Sequence, residues 1–274
     1  MGKNIKKVID QHECQKLIKN FINTEEFSAW VKNSIYDGKP ECISAMIYGM
    51  TLASMLVYRC DVMYIEEEKV EEENVEEPDI EFIFENGIIT GLATKLTTPT
   101  NLVIPSEING EKVICIGNAA FHGCTNLIAV TIPDTVTIIS HGAFGQCTRL
   151  TTINIPEGVK TIGKGAFAGC ISLKEIRIPD SVIIIGDWAF AACLSLTSIR
   201  IPQGMKKISR YTFSACNGLQ NVFIPGSIVE IDENAFFQCK DFTIYYSESF
   251  KKWSKIKIHP NNDDLQNRLE IRGA

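Results

Sequence analysis

A motif that returns every 23 residues restricts the fold of this chain more strongly than any other feature. It reads L-x-x-I-x-I-P-x-x-V-x-x-I-x-x-x-A-F-x-x-C, and four of its positions are easily followed. They are Cys124, Cys147, Cys170, Cys193, Cys216 and Cys239; Phe121, Phe144, Phe167, Phe190, Phe213 and Phe236; Pro133, Pro156, Pro179, Pro202 and Pro225; and Leu127, Leu150, Leu173, Leu196 and Leu219, with Phe242 in the sixth place. One unit of this length cannot bury its own apolar face, so the units are predicted to stack as coils of a solenoid.

Each part of the motif predicts a local structure. The alternation of Leu173, Ile176 and Ile178 indicates a short strand with one buried face. Pro179 ends that strand because proline has no N–H to donate. The Val and Ile that follow the proline are predicted to point inward on a second wall, and the Ala-Phe pair begins a tight turn. Six such coils, stacked at about 4.8 Å, span about 30 Å.

The chain has ten cysteines, which in a secreted protein would suggest a disulfide framework. Stacked coils place the six repeat cysteines one above another with parallel Cα–Cβ bonds. Their Cβ atoms then lie about 4.8 Å apart, beyond the usual disulfide range of about 3.5–4.5 Å. We therefore expect reduced, buried and chemically inert thiols, and not a redox or metal-binding ladder.

These units resemble the BspA-like class of leucine-rich repeats, which occurs in surface and secreted proteins of bacteria and protists. Residues 155–170 fit the pattern of that class throughout, including its glycine after the second-wall Ile. Ser140, Ser209 and Asp232 replace this glycine in other coils, and Thr212 replaces the Ala of the fifth coil. The resemblance covers residues 82–258. It implies a leucine-rich-repeat solenoid, a role in protein binding or cell adhesion, and no shared catalytic residues.

The ends of the stack are predicted from turn residues and apolar plugs. Asn86-Gly87, between two apolar runs, predicts an N-terminal capping hairpin within residues 81–104. The six-coil solenoid is assigned to residues 102–246. Residues 247–274 are predicted to form a C-terminal cap, with a short helix that ends at Trp253, a last strand at 256–258 and a loosely wrapped tail.

The region before the solenoid has a different character. Amphipathic periodicity predicts a small all-α domain over residues 1–65, followed by an acidic linker or helix extension over 66–80. The acidic stretch is alternatively a docking tail for a basic partner. The segment 42–58 carries no charge and is either a buried helix of a soluble bundle or a membrane anchor. No secretory signal pattern is seen, which favours a cytoplasmic location, with the cell surface as the alternative.

The predicted concave face carries two columns of outward residues. One is Thr131, Asn154, Arg177, Arg200, Phe223 and Tyr246; the other is Ala129, Thr152, Glu175, Ser198, Asn221 and Ile244. Solenoids bind partners on such faces, and arginine and aromatic residues are enriched at binding hot spots. The predicted binding residues are Arg177, Arg200, Phe223 and Tyr246, with Glu175 beside them. The alternative is that these are solvated strand positions at which Glu175 neutralises the arginines.

Other functions have little support in the sequence. A net charge of −6 argues against a nucleic-acid partner. The four histidines are scattered, and no nucleophile elbow, phosphate-binding loop or zinc-protease motif is present. No catalytic residue, metal or cofactor is therefore predicted. We expect a non-enzymatic protein-binding module; a cell-surface or host-directed adhesin, anchored through residues 42–58, is the alternative, and an enzyme with its chemistry in the helical domain is a third.

Overall fold

A computed structural model describes residues 80–271 of the chain. The predicted helical domain, the acidic stretch up to residue 79, the uncharged segment 42–58 and residues 272–274 lie outside this range. Within residues 80–271, no helix is long and apolar enough to cross a membrane.

The described residues form a stack of short strands joined by tight turns. In chain order the strands are β1 (Phe82–Glu85), β2 (Ile88–Leu92), β3 (Thr100–Val103), β4 (Glu107–Ile108), β5 (Glu111–Lys112), β6 (Cys115–Ile116), β7 (Leu127–Thr131), β8 (Ile138–Ile139), β9 (Thr152–Asn154), β10 (Thr161–Ile162), β11 (Ile184–Ile185), β12 (Ser198–Arg200), β13 (Lys207–Ile208), β14 (Asn221–Ile224), β15 (Glu230–Ile231), β16 (Thr243–Tyr246), β17 (Lys257–Ile258) and β18 (Leu269–Ile271). A short helix α1 (Phe250–Trp253) and a 3₁₀ segment (Pro260–Arg268) lie near the C-terminus.

An antiparallel hairpin of β1 and β2 begins the described region. Its turn residues Asn86 and Gly87 both have positive φ, 52° and 76°, as a two-residue type I′ turn requires. Strand β2 then pairs in parallel with β6, so the hairpin lies at the first edge of a ladder ordered β1-β2-β6-β8-β10-β11. Strands β13-β15-β17 form the corresponding ladder of the later coils. We call these two ladders the side wall.

A second set of parallel ladders is formed by the strands that precede the prolines. Their orders are β3-β7-β9 and β12-β14-β16-β18. Between them the chain passes through residues 175–177 without forming a strand, so the strand predicted at Leu173–Ile178 is absent. Ile176 and Ile178 are nevertheless buried, while Glu175 and Arg177 are exposed. The outward side of these passes, from 100–103 to 269–271, is the strand face.

The third side of each coil is a turn that places one phenylalanine in the core. The six rings from Phe121 to Phe236 stack in one column, with successive centroids 5.2–5.7 Å apart. Within a turn, the N–H of Ala168 donates to the carbonyl of Gly165, three residues back, as in a 3₁₀ helix. Between turns, the N–H of Phe167 donates to the carbonyl of Ala189 in the next coil at 2.8 Å. Backbone hydrogen bonds therefore join the coils on this side as well.

The repeat cysteines are free, and the four in the middle of the stack are fully buried. Cys124 and Cys239, at its two ends, are half-buried. From Cys147 onward, each thiol donates to the carbonyl of a phenylalanine in the preceding coil; the Cys170 Sγ lies 3.2 Å from the Phe144 oxygen. Burial raises the pKa of Cys170 to about 12. These thiols are reduced, as the spacing predicts, and remain protonated at neutral pH.

The C-terminal segment continues the solenoid instead of wrapping loosely. After α1, whose Trp253 is buried against Tyr246, the 3₁₀ segment leads into β18, which pairs in parallel with β16. The prediction of a loose tail is therefore wrong, because Leu265 and Leu269 supply apolar contacts inside a polar sequence. The strand face is accordingly built from eight passes, at 100–103, 127–131, 152–154, 175–177, 198–200, 221–224, 243–246 and 269–271.

Candidate functional site

The strand face brings three of the predicted binding residues into one column. Strand β12 pairs with β14 so that Arg200 lies beside Phe223, and β14 pairs with β16 so that Phe223 lies beside Tyr245. Arg177 stands one repeat before Arg200 on the pass that forms no strand. The column follows from the 23-residue step, because parallel in-register strands place equivalent side chains on neighbouring coils.

The predicted outward position of Tyr246 is wrong. Tyr246 pairs with Ile224 and is only 1% exposed, and Ile244 of the second predicted column is fully buried. The step from β14 to β16 is 22 residues, since Asn221 pairs with Thr243. A shift of one residue turns every side chain of a strand to the opposite face. Tyr245 therefore occupies the place predicted for Tyr246, and Thr243 that predicted for Ile244.

Aromatic and cationic groups are stacked along this column. The guanidinium carbon of Arg200 lies 4.8 Å from the centroid of the Phe223 ring, a cation–π arrangement. The Phe223 ring in turn stacks on Tyr245, with centroids 5.0 Å apart and planes 19° apart. Arg200, Phe223 and Tyr245 therefore form one continuous row of contacting side chains on the strand face.

A recess of about 250 Å³ opens beside this stack. Arg200, Phe223 and Tyr245 form one part of its wall, and Gln203, Pro225 and Ser247 form another. The Ser247 hydroxyl accepts a hydrogen bond from the N–H of Gly226 at 2.9 Å. Buried Tyr246 forms part of the recess floor, and desolvation raises the pKa of its hydroxyl, with Glu248 adding to the effect. The recess thus combines one exposed cation, aromatic surface and neutral polar groups.

Arg177 differs from Arg200 in having an acidic partner. Its Nη2 lies 3.1 Å from Oε1 of Glu157, and both side chains are largely exposed. An exposed pair of this kind contributes about 0–1 kcal/mol to stability. Glu175 is exposed and pairs with neither Arg177 nor Arg200 at ion-pair distance within the described region. Glu175 therefore does not neutralise either arginine, contrary to the alternative interpretation of the sequence. Glu157 pairs with Arg177 instead.

A second polar cluster lies on the side wall, where ion pairs connect successive coils. Lys207 Nζ lies 2.8 Å from Asp232, and Lys257 Nζ lies 2.8 Å from Glu230. The hydrogen bond from Lys207 helps to lower the pKa of Asp232 against the opposing effect of desolvation. The same hydrogen bond, which the Lys207 ammonium donates to Asp232, raises the pKa of Lys207. Because these charges satisfy one another, we interpret the cluster as a link between coils and not as a binding site.

Within residues 80–271, no group of three or more His, Cys, Asp or Glu side chains could hold a metal ion. His259 accepts a backbone hydrogen bond from Asn261, as the cap of the 3₁₀ segment. His12 lies outside the described range.

Sequence reasoning missed Tyr245, Gln203, Glu157 and Ser247. A signal for Tyr245 was present: Phe242, Ile244 and Tyr246 alternate as one apolar set, which leaves Thr243 and Tyr245 outward. The regular spacing at Phe242 concealed this signal. Phe242 is buried against Phe236 and lies 23 residues after Leu219, as the repeat predicts. The step shortens to 22 residues only in the strand that follows. No comparable signal was available for the ion pair of Glu157 with Arg177, which depends on side-chain geometry across two coils.

Comparison with known proteins agrees with this architecture. The sequence profile of the "BspA type Leucine rich repeat region" matches in six copies, over residues 98–165 and 137–257. A solved leucine-rich repeat protein of T. pallidum is 25% identical, covers 74% of this chain and 98% of its own, and superposes with a TM-score of 0.56. No curated protein sequence matches the chain.

A second solved structure is described as a leucine rich cell surface protein from Faecalibacterium prausnitzii. It is 30% identical, covers 72% of this chain and superposes with a TM-score of 0.58. Only 54% of that protein's length is spanned by this chain. The profile match, which extends over more than half of the chain, and the parallel coils together show that the protein belongs to the BspA type leucine-rich repeat family.

Proposed function

We propose that this protein is a non-enzymatic binding module that holds a protein partner on its strand face. The observation that carries the proposal is the stack of Arg200, Phe223 and Tyr245 beside an open recess. Arginine and tyrosine are enriched among the residues that dominate binding free energy at protein interfaces. The strand face is also the surface that the sequence predicts to be concave.

The rigid ladder under this stack supports the proposal. Strands β12, β14, β16 and β18 are joined by parallel backbone hydrogen bonds, and the inward residues of β12, β14 and β16 are buried. A partner that binds on such a surface loses little free energy to ordering the receptor. Leucine-rich repeat proteins generally bind other proteins and are typically non-enzymatic, which is consistent with this role.

Charge reversal on two faces tests the proposal. A partner is first recovered on the full wild-type chain, and its affinity is then measured for the double variant Arg177→Glu/Arg200→Glu. We expect a loss of at least about tenfold, because two cations on the proposed surface become anions. The matched control, Lys160→Glu/Lys206→Glu, changes two exposed lysines outside the strand face by the same charge. Equal affinity of both variants, or a loss confined to the control, would contradict binding at the strand face.

A second candidate function is display at the cell surface as an adhesin. It is favoured by the likeness to the Faecalibacterium prausnitzii protein, which is described as a cell surface protein. In this case the segment 42–58, which lies outside the described residues, is proposed to act as the anchor.

Protease treatment of intact native cells tests this second candidate. Loss of the solenoid signal in an antibody blot, with cytosolic control proteins intact, supports display outside the cell. Full protection of the solenoid, under conditions that remove a known surface protein, contradicts it.

A further inference from the structure

We propose that the recess beside Arg200 receives a carboxylate from an acidic segment of a partner polypeptide. The inference rests on the proposed function, because it names the chemistry that the strand face recognises. Three properties of the described residues carry it: Arg200 has no carboxylate partner among residues 80–271, its forked guanidinium lies over an aromatic ring, and the recess is small.

Arg200 differs from the neighbouring arginines in its electrostatic surroundings. Arg177 pairs with Glu157, and Arg210 pairs with Asp187 at 3.0 Å. Arg200 has no carboxylate within ion-pair distance among residues 80–271, and its one described contact is with the Phe223 ring. Asp180, one coil earlier, accepts the backbone N–H of Gln203. Glu248, which lies near Tyr246, pairs with Lys252 at 2.9 Å. Arg200 is therefore a cation of the recess that no carboxylate of residues 80–271 pairs with at ion-pair distance.

Arg200 lies over the Phe223 ring, with its guanidinium carbon 4.8 Å from the ring centroid. The N–H donors of a guanidinium lie in one plane and form a rigid fork. Those donors match the two oxygens of a carboxylate, which arginine binds in a bidentate manner. A single lysine ammonium at this position would lack both the stacking and the fork geometry.

The size and lining of the recess favour one side chain or chain terminus over a larger ligand. Its volume of about 250 Å³ is below the range of about 300–1,000 Å³ that is typical of small-molecule sites. Gln203 and Ser247 offer neutral hydrogen-bonding groups, and Pro225 and Tyr245 offer apolar surface. An Asp or Glu side chain, or a C-terminal carboxylate, fits this lining. Glu157 and Glu175 are exposed on the preceding coils and would repel a second carboxylate there.

Selection from random peptides tests the inference without knowledge of the natural partner. Two libraries of twelve-residue peptides are displayed and selected on the full chain: one is fused through its C-terminus, and the other has a free C-terminal carboxylate. Enrichment of Asp or Glu in the first library identifies an acidic side chain as the ligand. Dependence on the free terminus in the second identifies the terminal carboxylate. Selected peptides without either feature, or no selected peptide at all, would overturn the proposal.

A double-mutant cycle then locates the contact. A selected peptide is compared with its neutral counterpart, Glu→Gln or the C-terminal amide, on the wild-type chain and on Arg200→Gln. Removal of one partner of a charged hydrogen bond is expected to weaken binding by about 10–100-fold. The neutral peptide should bind wild type and Arg200→Gln equally, because the two changes remove the same interaction. If the peptide change and Arg200→Gln each weaken binding by the same factor whether or not the other is present, the carboxylate binds elsewhere.

Two further variants provide controls. Lys206→Gln removes one exposed positive charge from the same coil, outside the strand face, and should leave the affinity unchanged. Arg200→Lys keeps the charge and should recover only part of the affinity. If the natural partner loses affinity for Arg177→Glu/Arg200→Glu while no acidic peptide is selected, the proposed function stands and this inference fails. If the natural partner is insensitive to that double variant, the proposed function fails.

Discussion

The turn side and the strand face are built on the same repeat but use it in opposite ways. On the turn side, phenylalanine returns in all six coils and cysteine returns beside it. On the strand face, the equivalent column changes at almost every step. It reads Thr131, Asn154, Arg177, Arg200, Phe223 and Tyr245.

Burial explains why the turn side is uniform. Each of the four inner phenylalanines, from Phe144 to Phe213, stacks on an identical ring on both sides. A ring of another size in one coil would therefore leave a cavity or a clash in its neighbours. The outward positions of the strand face have no such constraint, because they meet solvent. The period therefore defines the buried scaffold, and the residues that change from coil to coil lie at outward positions of the strand face.

Truncation of one ring on the turn side should produce the largest effect. Phe167→Ala removes a fully buried ring between Phe144 and Phe190 and is expected to destabilise the protein by about 3–5 kcal/mol. Urea unfolding of the full chain, followed by circular dichroism, measures the change. Arg177→Ala on the strand face is the control, and equal destabilisation by both would remove the distinction between the two sides.

The two adjacent tyrosines sharpen the comparison within one strand. Tyr246→Ala should cost about 3 kcal/mol, because this ring is buried against Trp253. Tyr245→Ala should cost about 1 kcal/mol, the scale of one aromatic pair. The same unfolding assay compares them. A larger loss from Tyr245→Ala would mean that the one-residue shift in β16 is assigned incorrectly.

Alkaline pH should weaken the turn side specifically. Burial raises the pKa of Cys170 to about 12, whereas an unfolded thiol titrates near 8.5. Below that unfolded value the thiol is protonated in both states and its full contribution is present. Between the two values only the unfolded state loses the proton, so each such thiol lowers the unfolding free energy by about 1.4 kcal/mol per pH unit.

Unfolding free energies measured from pH 7 to 11 test this effect. The unfolding free energy of Cys170→Ala should fall less steeply with pH than that of wild type. The difference in slope should be about 1.4 kcal/mol per pH unit, the contribution of one buried thiol. Identical slopes would show that the thiol ionises freely in the folded state. Thiol titration of the non-reduced protein provides an independent measurement: low counts after denaturation would indicate disulfides and contradict the reduced ladder.

The exposed ion pair should have the smallest effect on stability. Arg177→Gln removes the contact with Glu157 and is expected to change the unfolding free energy by no more than about 0.5 kcal/mol. Glu157→Gln should behave in the same way. A loss above about 1 kcal/mol for either variant would show that the strand face contributes to the scaffold.

The sequence predicted the parts of this structure that repeat. The 23-residue step located the buried phenylalanines, the reduced cysteines and the column that contains Arg177, Arg200 and Phe223. Asn86-Gly87 located the hairpin, because few turns accept two residues with positive φ. These features depend on local sequence and on one period.

The parts that the sequence did not predict are those in which the period changes. The 22-residue step into β16 exchanged the roles of Tyr245 and Tyr246. The polar segment 260–268 gave no apolar period, yet Leu265 and Leu269 bring it into the stack. The pass at Glu175 and Arg177 keeps its alternation without forming a strand. In each case, contacts between coils decided the outcome, and a pattern within one repeat does not contain them.

Site-specific photo-crosslinking tests the central claim most directly. A benzophenone amino acid is placed at Ser198 on the strand face or at Lys206 away from it, within the same coil of the full chain in its native cells. If the strand face binds a partner, the probe at Ser198 should form a covalent adduct with a discrete protein. That adduct should disappear in the Arg177→Glu/Arg200→Glu background, and the probe at Lys206 should form none. Adducts at Lys206 alone, or at both positions without dependence on the arginines, would contradict it.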